Sequence, residues 1–358
     1  MRIQHKPSHR SKTNTTAATQ HTVRVPDLAL AVGEDKATVS AALNGTGEVA
    51  PGTRKAVLRA ARQLGFAGKP QTARSTTGGS NLIGLFSLDL DLGVGTSKIK
   101  TIQRLLTDNG YDVPVYSYGS TGAAANQAGL LRALCRQQPQ AIVCANVGLH
   151  PDALRELQTY EDKGGVVVCY DHPVEIACDN VVFDREANTY QAARHLLELG
   201  HRDIALYVHG PQPPGPTRLG GFRRACAEFG VTVRPDWLFH GGLYETGGAQ
   251  MAARFMELKQ RPTALCIVND LAAVAFVNEL RRMGLRVPAD VSVVGHDDLP
   301  MARYCALPLT TVSHPAGKIA RHVVDLLCSH LEGRYDGPPR RVVVQGELIV
   351  RASTAAPR

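Results

Sequence analysis

The chain has 358 residues, enough for two or three folded units, with 44% hydrophobic and 20% charged residues, which is ordinary globular composition. No run of about 18 apolar residues is present, which argues against a membrane-spanning helix, and the polar N-terminus lacks the apolar core of a signal peptide, so the chain is expected to stay in the cytoplasm. The net charge is +8. It is concentrated at one end: residues 1–81 carry 12 Lys and Arg against 4 Asp and Glu, while the remainder is balanced. A basic head on a neutral body is the footprint of nucleic-acid binding.

Residues 1–21 are rich in Ser, Thr, Gln and His without apolar periodicity and read as a disordered basic arm. Residues 22–66 read as a small helical unit. Val25–Val32 forms a first helix, with Pro26 in its first turn and Gly33 at its exit. Asp35 caps a second helix over Lys36–Asn44, which ends at Gly45. Leu28, Val32, Val39 and Leu43 are spaced to close one core, which a third helix, about Pro51–Leu64, completes with Val57, Leu58, Ala61 and Leu64. Two short helices joined by a tight glycine turn make a helix-turn-helix, whose second helix can enter the major groove of DNA. Lys36 can reach a base edge or a phosphate, Ala37 and Ala41 permit close approach, and Thr38 and Ser40 can bond phosphate oxygens. Asn44, Arg54 and Arg74 complete the expected DNA-binding set. Residues 67–80 are small and polar, which marks a linker.

From residue 81 to 358 the pattern becomes α/β. Strands are expected at Leu82–Phe86, Asp112–Ser117, Gln140–Ala145, Gly165–Tyr170, Asn180–Phe183, Ile204–His209, Ala264–Val268 and Val291–Gly295. Helical segments fall near 96–109, 124–137, 151–162, 186–199, 217–229, 246–259 and 270–283. Alternation of this kind implies parallel sheets covered on both faces, and there are enough elements for two doubly wound lobes with a ligand cleft between them. Ligands of such sheets bind at the carboxyl ends of strands, where Asp171 and Asp270 fall. Arg218 opens a helix and offers a fork of donors. Phe222 lies one turn on, as either a ring platform or core. Asp270 is either a ligand contact or a helix cap. Asn269 and His296 adjoin the same strand ends. Carboxylates, a guanidinium and an aromatic suit a sugar or a nucleobase-like molecule.

Enzyme readings find little support. Gly93-Val-Gly-Thr-Ser-Lys98 lacks the spacing of a phosphate loop, and no GxGxxG follows the first strand. The pairs Asp171-His172 and His296-Asp297-Asp298 read as satisfied loop or cap groups rather than metal or acid–base sets. The eight cysteines form no CxxC pair and read as small buried hydrophobes. No cofactor is expected.

Two sets of residues carry a specific resemblance. Leu28-Ala-Leu-Ala-Val-Gly-Glu-Asp-Lys-Ala-Thr-Val-Ser-Ala-Ala-Leu-Asn-Gly45, then Val49-Ala-Pro-Gly-Thr-Arg-Lys-Ala-Val57 and Leu64-Gly-Phe66, resemble the head of the lactose-repressor (LacI/GalR) family. In the body, His195–Ala205, Arg218-Leu-Gly-Gly-Phe222, Asn269-Asp270, Gly284–Asp298 and Pro308-Leu-Thr-Thr-Val312 continue it. The resemblance implies a periplasmic-binding-protein-like body, with effector contact at Asp171, Arg218, Phe222 and Asp270. It further implies a homodimer on a pseudo-palindromic, double-stranded DNA operator, controlled by a small-molecule effector. The chain departs from the family pattern at several places. Ala41 stands where a guanine-reading Arg is usual, and Ser75 or Thr76 stands near the wedge Leu of the hinge. Arg24 replaces a capping Thr. Leu92-Gly-Val-Gly95 replaces an Asn-Pro-Phe-Phe platform, Pro211–Pro216 replaces a polar loop, and His296 replaces Phe or Tyr.

Overall fold

The computed structural model describes residues 23–44, 49–50, 53, 56–57, 60–61, 64, 81–88, 93–118, 124–210, 217–242 and 244–358. The chain divides into two units, Met1–Gly79 and Ser80–Arg358.

In the first unit, α1 (Val25–Val32) and α2 (Lys36–Asn44) are joined by a turn in which Gly33 takes φ 71°, a left-handed conformation that glycine adopts without penalty. Arg24 offers no capping oxygen, so the cap is reversed. The Asp27 side chain accepts from the Arg24 amide at 2.7 Å. Asp35 caps α2 as its sequence position predicts, accepting from the Thr38 amide at 2.8 Å. Leu28, Val39 and Leu43 are buried, with Val32 packed at their margin. Of the third predicted helix, Thr53, Ala56, Val57, Ala60 and Ala61 are helical, and Val57, Ala60 and Ala61 join this core. The arm of residues 1–21 and the linker of residues 67–80 lie outside the described residues.

The second unit holds two six-stranded sheets. The first lobe has β1 (Ile83–Leu88), β2 (Val115–Tyr118), β3 (Ala141–Ala145), β4 (Val166–Asp171), β5 (Asp179–Phe183) and β11 (Arg341–Val344). Their order is β11-β5-β4-β3-β1-β2, and every pairing is parallel. β3 is buried along its whole length, as a central strand covered on both faces must be. The faces are covered by α3 (Val94–Asp108) and α11 (Ala316–Leu331) on one side, and α4 (Ala124–Cys135) and α5 (Pro151–Asp162) on the other.

The second lobe has β6 (Ile204–His209), β7 (Leu238–Gly241), β8 (Ala264–Ile267), β9 (Ser292–Asp297), β10 (Thr310–Ser313) and β12 (Leu348–Ile349), in the order β12-β10-β9-β8-β6-β7. All pair in parallel except β12, which runs antiparallel to β10. α6 (Arg185–Glu198) and α7 (Arg218–Glu228) pack on one face. α8 (Glu245–Glu257) and α9 (Asp270–Arg282) pack on the other, with the short α10 (Pro300–Tyr304) beside α9. Gly284 leaves α9 at φ 88°.

The chain passes between the lobes three times: from β5 into α6, from β10 into α11, and from β11 into β12. All eight cysteines are free thiols, six of them buried.

Candidate effector cleft and DNA-binding head

Strand geometry builds the cleft. β4 ends at Asp171 in one lobe and β9 ends at Asp297 in the other, and His314 begins the crossing that follows β10. The His314 ring lies between the two carboxylates. Its Nε2 is 3.8 Å from Asp171 Oδ1, and its Nδ1 is 3.7 Å from Asp297 Oδ1. It also rests on Phe183 at the end of β5, with ring centroids 3.8 Å apart. One imidazole of the second lobe thus touches both lobes. A cavity of about 490 Å³ opens beside it, lined by Gly93, Thr96, Ser97 and Lys100 from the start of α3 and by Asp297 and Leu299 from across the cleft.

Backbone strain gathers at these strand ends. Among the described residues five non-glycine residues have positive φ, and four of them are Asp171 (84°), Asn269 (142°), Asp297 (111°) and Asp298 (53°). Asp and Asn tolerate this region best, and such strain concentrates where a fold positions functional groups.

The charges are arranged as follows. Lys98 from α3 is hydrogen-bonded to Asp171, and both side chains are almost fully buried, at 3% and 4% exposure. Lys98 and Arg185 hold the Asp171 carboxyl far below the usual carboxylate range, overcoming the opposing effect of burial. Arg185 Nη1 donates to the Asp171 main-chain oxygen at 2.8 Å. Arg218 stands at the start of α7, where Thr217 caps the helix, and its Nη1 is buried without a hydrogen-bond partner. Burial first, and then the charge of Arg185, pull the Arg218 guanidinium down to about 10. Among the described residues His296 Nε2 and His314 Nε2 are likewise buried without a hydrogen-bond partner. Desolvation pushes His172 and His296 down to about 3, and His209 and His314 down to about 4, so all four rings are neutral at pH 7.

The expected effector residues divide. Asp171, Arg218 and His296 belong to this cluster. Asn269 is turned to its own helix, accepting from the Ala272 amide at 2.9 Å as the N-cap of α9. Asp270 is a correction: it is fully buried, with one oxygen accepting from the Leu299 amide at 2.8 Å and the other from the Thr311 hydroxyl at 2.6 Å. Burial, and the nearby Asp297, raise its carboxyl well above the usual value. It fastens the β9–α10 loop to β10. Phe222 is a second correction. It is fully buried among Leu196, Leu206 and Ala225, on the face of α7 that packs against the sheet. It serves the core rather than a ligand ring.

Lys98, Arg185, Asp297 and His314 were missed as site residues. Lys98 did leave a signal: it sits in register with Ile102 and Leu106 on the buried stripe of α3, where a cation demands an anionic partner. Asp298 pairs with Arg351 at 2.6 Å, as a loop group should. Among the described residues no group of His, Cys, Asp or Glu could hold a metal ion.

In the head, Lys36 and Ala37 are exposed on the first turn of α2, and Thr38, Ser40 and Ala41 are half-buried. The Thr38 hydroxyl already donates to Asp35 at 2.7 Å, so a phosphate bond from Thr38 would replace that one. Asn44 closes α2. Arg54 and Arg74, and the side chain of Asn44, lie outside the described residues.

The body therefore defines a two-lobed binding protein of the periplasmic type. The model of the periplasmic binding protein-like domain matches residues 193–354. The HTH-type transcriptional regulator reg1 of Streptomyces lividans is 32% identical over 346 residues, covering 94% of this chain and 97% of that protein. The HTH-type transcriptional repressor PurR of Photobacterium profundum is 27% identical over 331 residues, covering 92% and 98%. Among solved structures, the transcriptional regulator CelR in complex with cellobiose is similar with a TM-score of 0.68 and 25% identity, covering 92% of this chain and 99% of that one. The chain belongs to the LacI/GalR family of DNA-binding transcriptional regulators. Among the described residues no helix is long and apolar enough to cross a membrane.

Proposed function

We propose that this regulator is a cytoplasmic homodimer that binds a pseudo-palindromic operator through its heads and responds to a small polar effector held between the lobes. Protein two-fold symmetry is matched by symmetric half-sites in DNA. Lys36, Ala37, Thr38, Ser40, Ala41 and Asn44 on α2, together with Arg54 and Arg74, form the DNA-binding set. Asp171, Arg218, His296, Asp297 and His314 form the effector set. Repression is the outcome, in line with the similarity to PurR repressors.

One observation carries the effector reading. Among the described residues a buried guanidinium nitrogen of Arg218 has no acceptor, and an unpaired buried donor is costly unless something binds it. The neighbouring Asp297 supplies an acceptor, so a molecule rich in hydroxyl or ring-nitrogen groups meets both needs. CelR, which is similar over nearly its full length, was solved with a sugar, cellobiose. Because the cleft joins both lobes at His314, a ligand there favours one lobe arrangement over another and shifts DNA affinity by linkage.

Selection of bound fragments from random DNA tests the reading, comparing the full chain with a version lacking residues 1–80. Enrichment of one symmetric motif by the full chain alone is the expected result. Enrichment of no motif, with only salt-sensitive binding left, would overturn it.

A further inference from the structure

Two of the buried cations around the cleft lack hydrogen-bonded carboxylate partners. Lys98 and Asp171 answer each other. Asp298 is answered by Arg351. Asp270 has both oxygens occupied, by the Leu299 amide and the Thr311 hydroxyl, and burial raises its carboxyl, so it gives neither guanidinium a hydrogen bond. The imidazoles of His172, His209, His296 and His314 are neutral. Arg185 feels both Asp171 and Asp297, and Arg218 feels Asp297, so with Lys98 three cations share these two carboxylates. Among the described residues neither guanidinium is hydrogen-bonded to a carboxylate. Arg185 Nη1 donates only to main-chain oxygens, of Asp171 at 2.8 Å and Phe183 at 3.5 Å, and Arg218 Nη1 has no acceptor. Each guanidinium lies at the start of a helix that follows a strand end, where partial positive charge also gathers. Two guanidiniums close enough to repel, one of them with a buried nitrogen lacking an acceptor, are left without an oxyanion partner in a poorly hydrated place.

We propose that the effector is an anion, a small polyol bearing one carboxylate or phosphate group, whose charged oxygens are taken by Arg218 and Arg185 and whose hydroxyls meet Asp297 and His296. This rests on the reading of the cleft as the effector site. Planar guanidinium forks bind oxyanions in paired hydrogen bonds about twice as strong as neutral ones. A neutral sugar would occupy the same hydroxyl partners and leave both guanidiniums without an oxyanion.

Calorimetric titration of the full chain at fixed ionic strength tests this with matched compounds: D-glucose, D-gluconate and D-glucose 6-phosphate; D-ribose and D-ribose 5-phosphate; hypoxanthine; and inorganic phosphate. At least one oxyanion is expected to bind about tenfold or more tighter than its neutral parent. The acid and the phosphate ester separate the two forms of anion. Arg218→Gln should abolish the preference and Arg218→Lys should restore part of it, with melting curves confirming that both variants fold. The wild-type comparison alone decides the matter if they do not. A neutral sugar or hypoxanthine that binds tighter than every anion, and is lost in Arg218→Gln, overturns the anion while leaving the cleft as the effector site. Silence from every compound, inorganic phosphate included, overturns both.

Discussion

Replacing Lys98 by Met tests the cleft's electrostatics most sharply. The side chains of Lys98 and Asp171 are only 3% and 4% exposed and hydrogen-bonded to each other, so Met at 98 fills similar volume but strands a buried carboxylate. Breaking a buried pair by removing one partner costs about 3–5 kcal/mol, whereas replacing both partners is often near neutral. Lys98→Met is therefore expected to lose about 3–5 kcal/mol, and Lys98→Met with Asp171→Asn to recover most of it. Urea unfolding followed by circular dichroism reads both lobes. Fluorescence reads the second lobe alone, because Trp237, the chain's single tryptophan, is buried in that lobe's core. The dichroism transition should move to lower urea more than the Trp237 transition does. The pH dependence carries a sign. Asp171 has a depressed folded pKa, so its contribution is present above the unfolded carboxylate value near 3.9 and is lost as pH falls through the folded value. In Lys98→Met the stranded carboxyl takes up a proton at higher pH, so the deficit should be largest near pH 7 and shrink toward pH 4. A loss below about 1 kcal/mol, constant with pH, would refute the reasoning, because it would show both groups hydrated.

Other outcomes follow from the same geometry. His172, His209, His296 and His314 are held neutral down to about 3 or 4, while unfolded imidazoles protonate near 6.5. The unfolded chain therefore binds more protons between these values, and stability should fall steeply from pH 6.5 to pH 4. His209→Gln should reduce that slope by about one proton in a pH series of thermal melts. Asp270→Ala would strand the Leu299 amide and the Thr311 hydroxyl, at about 1–3 kcal/mol for each unsatisfied group. It should lower the melting temperature without abolishing ligand binding. Full stability with lost binding would instead restore Asp270 as a ligand contact. Lys36→Glu should weaken operator binding and reduce the slope of log affinity against log salt by about one, measured by fluorescence anisotropy. An unchanged slope would move the DNA-reading face elsewhere.

The parts that were legible in the sequence share a cause. Fully buried central strands such as Ala141–Ala145 must be continuous apolar runs, and helices with one apolar stripe must show their period, as Pro151–Asp162 does. The head was legible because its motif, charge and caps agree. Elements lying near the lobe crossings were not. β10 is only four residues long, β11 is an edge strand with alternating exposure, and β12 has two residues, so none leaves a strong periodic signal. α11 was missed although its apolar stripe is long, because the segment was matched to no strand that would precede it. Within the site, Arg218 and Asp171 were findable as polar groups at strand and helix ends. Lys98, Asp297 and His314 were not assigned because their partners come from other elements, and only the fold brings an α3 lysine to a β4 carboxylate. Phe222 shows the reverse failure. Spacing of one helical turn places it on the Arg218 side of α7, but spacing cannot say where the sheet edge passes beneath that helix.

Under the proposed function, occupancy of the cleft controls the head's hold on DNA. The direct measurement is the dissociation constant of the full chain for its selected operator, titrated with the tightest-binding ligand, in the wild type and in Arg218→Gln. A shift of about fivefold or more in the wild type that vanishes in Arg218→Gln, with ligand-free affinity unchanged, is the predicted result. An operator affinity indifferent to a ligand that binds the cleft, or a shift that survives in Arg218→Gln, would contradict it.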